Sequence, residues 1–355
     1  MIGKLIATLI GTALCTVPSP LLAARPEAGN LYTLSNAAAG NQVIVFRRSA
    51  DGSLSPAGTV ASGGLGTGAS LGSQGALVLS GDRNWLFAVN AGSNSISSFS
   101  VEDHGLTLVD TVASGGSTPV SLAVRGHLLY VLNQGGTGNL TGFWVGAGGN
   151  LTPIPGSTRP LSSPAAGAAQ VAFSPDQESL VVSEKATNTL DVYALLDQGR
   201  LSGPTPFPSQ AAVPYGFAFT GRSTLLVTDA GANAVSSYDL DRHQLTPVGP
   251  AVASEGAAPC WMTALPDGRF AYAANAHIGT IAGFRVDRAG AIRFLGLTQT
   301  PGIPVLDLAA TCDFVFALAA GTEQVVAYRV GEDGGLTMAG EAGGLPETAQ
   351  GLAVR

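Results

Sequence analysis

QVAFSPDQESLVVSEKATNTLDVY, residues 170–193, reads as three short apolar strands separated by two polar turns, with the second strand closing on a polar residue, Glu184. The same order recurs on either side of it. Second strands read LYTLSN ending at Asn36, LFAVN at Asn90, YVLN at Asn133, LLVTD at Asp229, YAAN at Asn275 and FALA at Ala319. Successive end points stand 43 to 54 residues apart, the period of a four-stranded propeller blade. No stretch after the leader holds a 3.6-residue apolar period over three turns, so helices are not expected. Seven copies therefore predict an all-β, seven-bladed β-propeller.

Inner strands align at 74–79, 121–124, 170–173, 216–219, 261–265 and 307–310, and a last one, QGLAV, stands alone at Gln350–Val354. The first copy begins with a second strand at Leu31 and has no inner strand before it. Each end supplies what the other lacks, so the C-terminal strand is expected to complete the N-terminal blade, which removes the two unpaired sheet edges at the seam. Third strands such as QVIVFRR, SISSFSV, LDVYALL and QVVAYRV carry Phe or Tyr at one recurring place. That regularity suggests an aromatic packed between neighbouring blades. The turns that follow, among them ADGSL, EDHGL and EDGGL, supply the Asp, Asn and Gly that tight hairpins need.

Residues 1–24 have a lysine near the start, the apolar run LIATLIGTALCTV, then prolines and LLAA. This is the pattern of a cleaved secretory leader, too short to span a bilayer. The remaining residues, 25–355, are read as one propeller domain, a monomer secreted or free in the periplasm, with no membrane partner. Charged residues make up only 12% of the chain and the formal charge is -7. Such a surface cannot neutralise phosphates, which argues against nucleic acid. Outside the leader the cysteines are Cys260, opening an inner strand, and Cys312, in the turn after the next one. An inner strand of five or six residues holds them roughly 17–20 Å apart, beyond the reach of a disulfide. Both are expected to be buried free thiols.

In a propeller, the starts of inner strands and the ends of second strands share one face, around the mouth of the central channel. Here that face gathers Gln74, Gln170, Trp261, Asp307 and Gln350 from the inner ring and Asn90, Asn133, Glu184, Asp229 and Asn275 from the second. Three carboxylates, several amides and one indole suit a small polar ligand. Glu184, Asp229 and Asp307 are the candidate acids or bases and the others the candidate ligand contacts. Each amide or acid there has an alternative use in satisfying loop backbone. His104 and His243 fall in outer turns, His127 in a turn on the opposite face, and His277 in a mouth loop. No metal or other cofactor is expected from this spacing. GGLGTG at 63–68 has no helix after it, so it reads as a long loop and not a phosphate cradle.

PVSLAVRGHLLYVLNQGGTGNLTGF, the 170–193 stretch, PYGFAF and CWMTALPDGRFAYAAN together resemble the lactonase-like seven-bladed propellers, which include bacterial 6-phosphogluconolactonase and the fungal carboxymuconate-lactonising enzymes. The SPD and EKATNT segments resemble a secreted bacterial branch. The resemblance implies lactone chemistry carried by a Glu at a second-strand end and by an Arg and a His before an inner strand. The Glu matches Glu184. The family's G-P-R-H falls on Gly167, Ala168, Ala169 and Gln170, so cation and imidazole are both absent. The expectation is a propeller that binds a small polar molecule or lactone at the channel mouth and hydrolyses it through water activated by Glu184, with Gln170 steadying the oxyanion. The alternative is a non-catalytic propeller serving as a scaffold for a protein partner.

Overall fold

The computed structural model describes residues 28–102 and 105–355. The expected leader and His104 lie outside the described residues. Seven antiparallel sheets follow one another around a ring. Blade 1 consists of Gly29–Leu34, Gln42–Arg48 and Leu54–Ala61, with Gln350–Val354 as its inner strand. At that seam Leu31 pairs with Val354 and Thr33 with Leu352, and the Thr33 hydroxyl donates to the Gly351 carbonyl at 2.7 Å. Inner strands of blades 2 to 7 are Leu77–Leu79, Pro119–Arg125, Ala168–Phe173, Pro214–Thr220, Pro259–Ala264 and Val305–Ala310. In blades 3 and 5 the outermost strand is split into two pieces that pair with the same third strand.

The recurring third-strand aromatic explains how the blades cohere. Phe46, Phe99, Phe143, Tyr193, Tyr238, Phe284 and Tyr328 occupy it, and all seven are buried to within 1%. Burying each such side chain is worth about 1.5–3 kcal/mol, so one position repeated seven times supplies much of the packing between sheets. Outer hairpins add a second lock. Gly334 sits so close to Phe270 of the preceding blade that a Cβ would meet the ring at 2.5 Å, and the Tyr272 hydroxyl donates to the Gly334 carbonyl at 2.9 Å. Between blades 4 and 5 the sizes are reversed: the small residue is Ser179 and the large one His243, joined Oγ to Nδ1 at 2.7 Å.

Inner strands of blades 3 to 7 carry a register slip near their start, between Pro119 and Ser121, Ala168 and Gln170, Pro214 and Phe217, Pro259 and Trp261, and Val305 and Leu308. A bulge re-aims the side chains beside it. Here it orders the residues nearest the mouth. Cys260 and Cys312 are unpaired, as their places in the repeat require. Cys260 is buried, and burial pushes its thiol up to about 12. Cys312 departs from the expectation of burial: it lies in the turn between Val305–Ala310 and Phe314–Ala319, where the chain reverses in solvent, and it is exposed.

Candidate functional site

The connection from blade 1 to blade 2, residues 62–76, is far longer than the five to seven residues that join the other blades. It contains GGLGTG and forms a loop, and it crosses the channel mouth. Asn36 holds its first half, accepting from the Thr67 amide at 3.0 Å and donating to the Ala69 carbonyl at 2.7 Å. Its second half is hydrogen-bonded to blades 1, 3, 4 and 6. Leu71 N donates to Gln350 Oε1 of blade 1, Ser73 Oγ to the Val120 carbonyl of blade 3, and Gln74 N to the Ala169 carbonyl of blade 4. Trp261 Nε1 of blade 6 donates to the Ser73 carbonyl at 2.9 Å, and the Gln74 amide clasps both backbone groups of Met262. Lys185, over the Tyr215 ring of blade 5 at 4.6 Å, donates to the Gly72 carbonyl, and burial lowers its pKa.

This segment decides what the inner ring can do. Gln74 and Gln350 bind the plug and the backbone around it. Gln170 clasps Phe217 in the next blade, accepting from its amide at 2.7 Å and donating to its carbonyl at 3.0 Å. Trp261 is 3% exposed and packs edge-on against Tyr215 at 5.4 Å. These four predicted ligand contacts are brought together, and their polar groups meet protein.

Two members of the second ring, Asn90 and Asp229, share one pattern, in which a serine arriving from the previous blade bonds to the residue that ends the second strand and a serine seven further on bonds from the third strand. Asn90 accepts from Ser62 Oγ at 2.6 Å and donates to Ser97 Oγ at 2.7 Å. Asp229 accepts from Ser209 Oγ at 3.0 Å and from Ser236 Oγ at 2.5 Å, and burial nevertheless raises its carboxyl to about 6. Asn133 and Asn275 donate to Asn139 Oδ1 and Thr280 Oγ1, and each leaves a buried Oδ1 without a partner. Gly116 and Gly256 press on these two amides so closely that a Cβ would stand within 2.6 Å of either.

Blade 4 departs from that pattern. Glu184 accepts from Ser162 Oγ at 3.0 Å and Thr187 Oγ1 at 2.7 Å, both on Oε2, and from Ser162 N at 3.1 Å on Oε1. Seven residues on stands Asp191, where blades 2 and 5 have Ser97 and Ser236. Asp191 Oδ2 accepts from Ser162 N at 2.9 Å, and Oδ1 has no partner. Burial and then the neighbouring Glu184 push the Asp191 carboxyl up to about 7, well above the usual carboxylate range. Both carboxyls are buried, while Ser162 above them is exposed. The sequence reading found Glu184 and missed Asp191 and Ser162. The signal for Asp191 was its spacing, since 184 to 191 repeats 90 to 97 and 229 to 236.

Asp307 stands apart from this cluster, on the wall of the channel. It is 2% exposed, accepts from Leu308 N at 2.8 Å and from the Leu352 amide, and burial raises its carboxyl to about 8. Among the described residues no group of three or more His, Cys, Asp or Glu converges, and no helix is long and apolar enough to cross a membrane.

Residues 25–159 match the family model described as lactonase, 7-bladed beta-propeller. No curated protein matches the chain. Solved structures do. One is a candidate 6-phosphogluconolactonase from Bacteroides fragilis, at 17% identity and a TM-score of 0.77, covering 94% of this chain and 99% of that one. A second, from Bacteroides uniformis, is 18% identical with a TM-score of 0.78, covering 93% and 100%. The periplasmic gluconolactonase PpgL of Pseudomonas aeruginosa is 18% identical with a TM-score of 0.74, covering 92% and 99%. The likenesses at this identity carry the fold, a seven-bladed β-propeller, and residues 25–159 are similar to the lactonase family within it.

Proposed function

We propose that the protein is a lactonase for uncharged lactones whose chemistry is carried at blade 4 by Ser162, Glu184 and Asp191. The observation that carries the reading is the hydrogen bond from the exposed Ser162 hydroxyl to the buried Glu184, with the buried Asp191 carboxyl bonded to the same Ser162 amide. Glu184 takes the Ser162 proton as the oxygen attacks the lactone carbonyl, and collapse of the tetrahedral adduct breaks the ring acyl–oxygen bond. The ring oxygen leaves as an alcohol with the proton Glu184 received. Water, activated by the same carboxylate, then releases the hydroxy acid and restores Ser162. Below about pH 7 the raised Asp191 carboxyl stays largely neutral beside the base.

Preference for neutral substrates follows from Ala169 and Gln170, which stand where the resemblance implies Arg and His, and from Lys185, whose ammonium is engaged by Gly72 and Tyr215. The leader pattern and the periplasmic setting named for PpgL support action outside the cytoplasm. One observation favours a non-catalytic scaffold instead: the amides of Gln74, Gln170 and Gln350 are all used internally. Assaying purified protein on neutral and phosphorylated lactones, with Ser162→Ala and Glu184→Gln as controls, separates the two. Turnover of a neutral lactone that both variants lose supports the lactonase; absence of turnover on every lactone supports the scaffold.

A further inference from the structure

Below the plug the channel holds a cavity of about 350 Å³. The plug end is closed by Gln74 and Gly75, whereas Leu79, Val124 and Phe173, at the strand ends on the opposite face, are partly exposed. The channel is thus a blind well entered from the face opposite the Ser162 cluster. Its walls are mostly apolar side chains of the inner strands, with the amides of Gln74 and Gln170 among them. Among the described residues the one ionisable group in its lining is Asp307, which the lactonase reading does not use.

Asp307 is an unusual residue to keep in such a place. Its carboxyl accepts two backbone amides, and among the described residues no cationic side chain offsets its burial. The titratable group facing it from a neighbouring element is Tyr215 of blade 5, whose phenol burial holds far above its ordinary range, and the nearby Lys185 is already engaged over that ring. An acid buried without a counter-ion is costly. In a ligand-sized well open to solvent, the missing partner is most economically a ligand.

We propose that the channel is a binding site for a small organic cation, its ammonium seated on Asp307 and its apolar body along Leu79, Val124 and Phe173. The chain's charge of -7 favours approach of such a ligand. When the cation arrives, the carboxyl releases its proton to solvent and the ion pair forms in the well. An uncharged ligand would instead accept a hydrogen bond from the protonated acid and release nothing.

Benzylammonium and benzyl alcohol, titrated calorimetrically into the full protein in two buffers of different ionisation enthalpy, distinguish these cases. The expected result is binding of the amine with release of about one proton at neutral pH, and an affinity that rises about tenfold per pH unit between pH 6 and 8. Asp307→Asn should weaken amine binding at least about tenfold. Leu79→Trp, which narrows the entrance without touching the acid, should abolish binding with the melting temperature unchanged. The proposal is overturned if the alcohol binds as tightly as the amine, if neither binds, or if Asp307→Asn binds the amine as the wild type does. None of these outcomes bears on lactone turnover at Ser162, so the two sites are tested separately.

Discussion

The carboxamide of Gln74 meets both backbone groups of Met262, Nε2 donating to the carbonyl at 2.6 Å and Oε1 accepting from the amide at 3.0 Å. Residues 188 positions apart in sequence are joined across the ring, so the segment at 62–76 is a cross-brace as well as a plug. Gln74→Ala leaves two buried backbone groups without partners, a loss of about 1–3 kcal/mol. Thermal unfolding should register it. Hydrogen exchange should show faster exchange concentrated at residues 69–76; uniform loosening of all blades would contradict the brace.

Closure of the ring makes a second expectation. Removing residues 350–355 takes the inner strand from blade 1, exposes the edge of Gly29–Leu34 and opens the interfaces with blades 2 and 7. The protein should lose its cooperative melting transition or melt many degrees lower. A transition unchanged by the deletion would mean that the seam contributes nothing.

The two thiols should be told apart by reagent access. Cys312 is exposed and should alkylate readily in the native protein, whereas Cys260 is buried with its thiol pushed up to about 12 and should react only after denaturation. Intact mass should therefore rise by one label, then two.

Buried acids also set the pH dependence of stability. Asp229, Asp191 and Asp307 are raised to about 6, 7 and 8. The folded state holds protons that the unfolded state has given up, so these groups favour folding below about pH 4 and lose that contribution as pH climbs to about 8. Asp307→Asn should flatten that fall and be the more stable protein at pH 8, by on the order of a few kcal/mol. A steeper fall in the variant would contradict the assignment of Asp307 as an unpaired acid.

Much of this architecture is legible because it is periodic. Seven third-strand aromatics, from Phe46 to Tyr328, and seven second-strand ends mark the blades by spacing alone, and the lone QGLAV strand marks the seam. The face on which Gln74, Glu184 and Trp261 meet follows from strand direction. What each does there is not periodic. The fate of Gln74 depends on a loop that crosses the ring, and no local pattern encodes a contact 188 residues away. Bulges at the inner-strand starts decide whether a side chain such as Asp307 enters the channel, and one slipped residue is invisible in an apolar run. Asp191 was readable in principle, as a carboxyl in a serine's place, once the seven-residue spacing from Asn90 and Asp229 is known. The exposure of Cys312 was hidden because a turn residue and a buried thiol look alike in TCDF.

The measurement that bears most directly on the lactonase reading is kcat/KM for a neutral lactone as a function of pH, in wild type, Glu184→Gln and Asp191→Asn. The account predicts that Glu184→Gln loses about 10²–10⁴ in rate, and that wild-type activity declines above about pH 7 as Asp191 loses its proton, a limb absent in Asp191→Asn. Neutral-lactone turnover that survives Glu184→Gln with its pH profile unchanged would place the chemistry elsewhere and contradict the account.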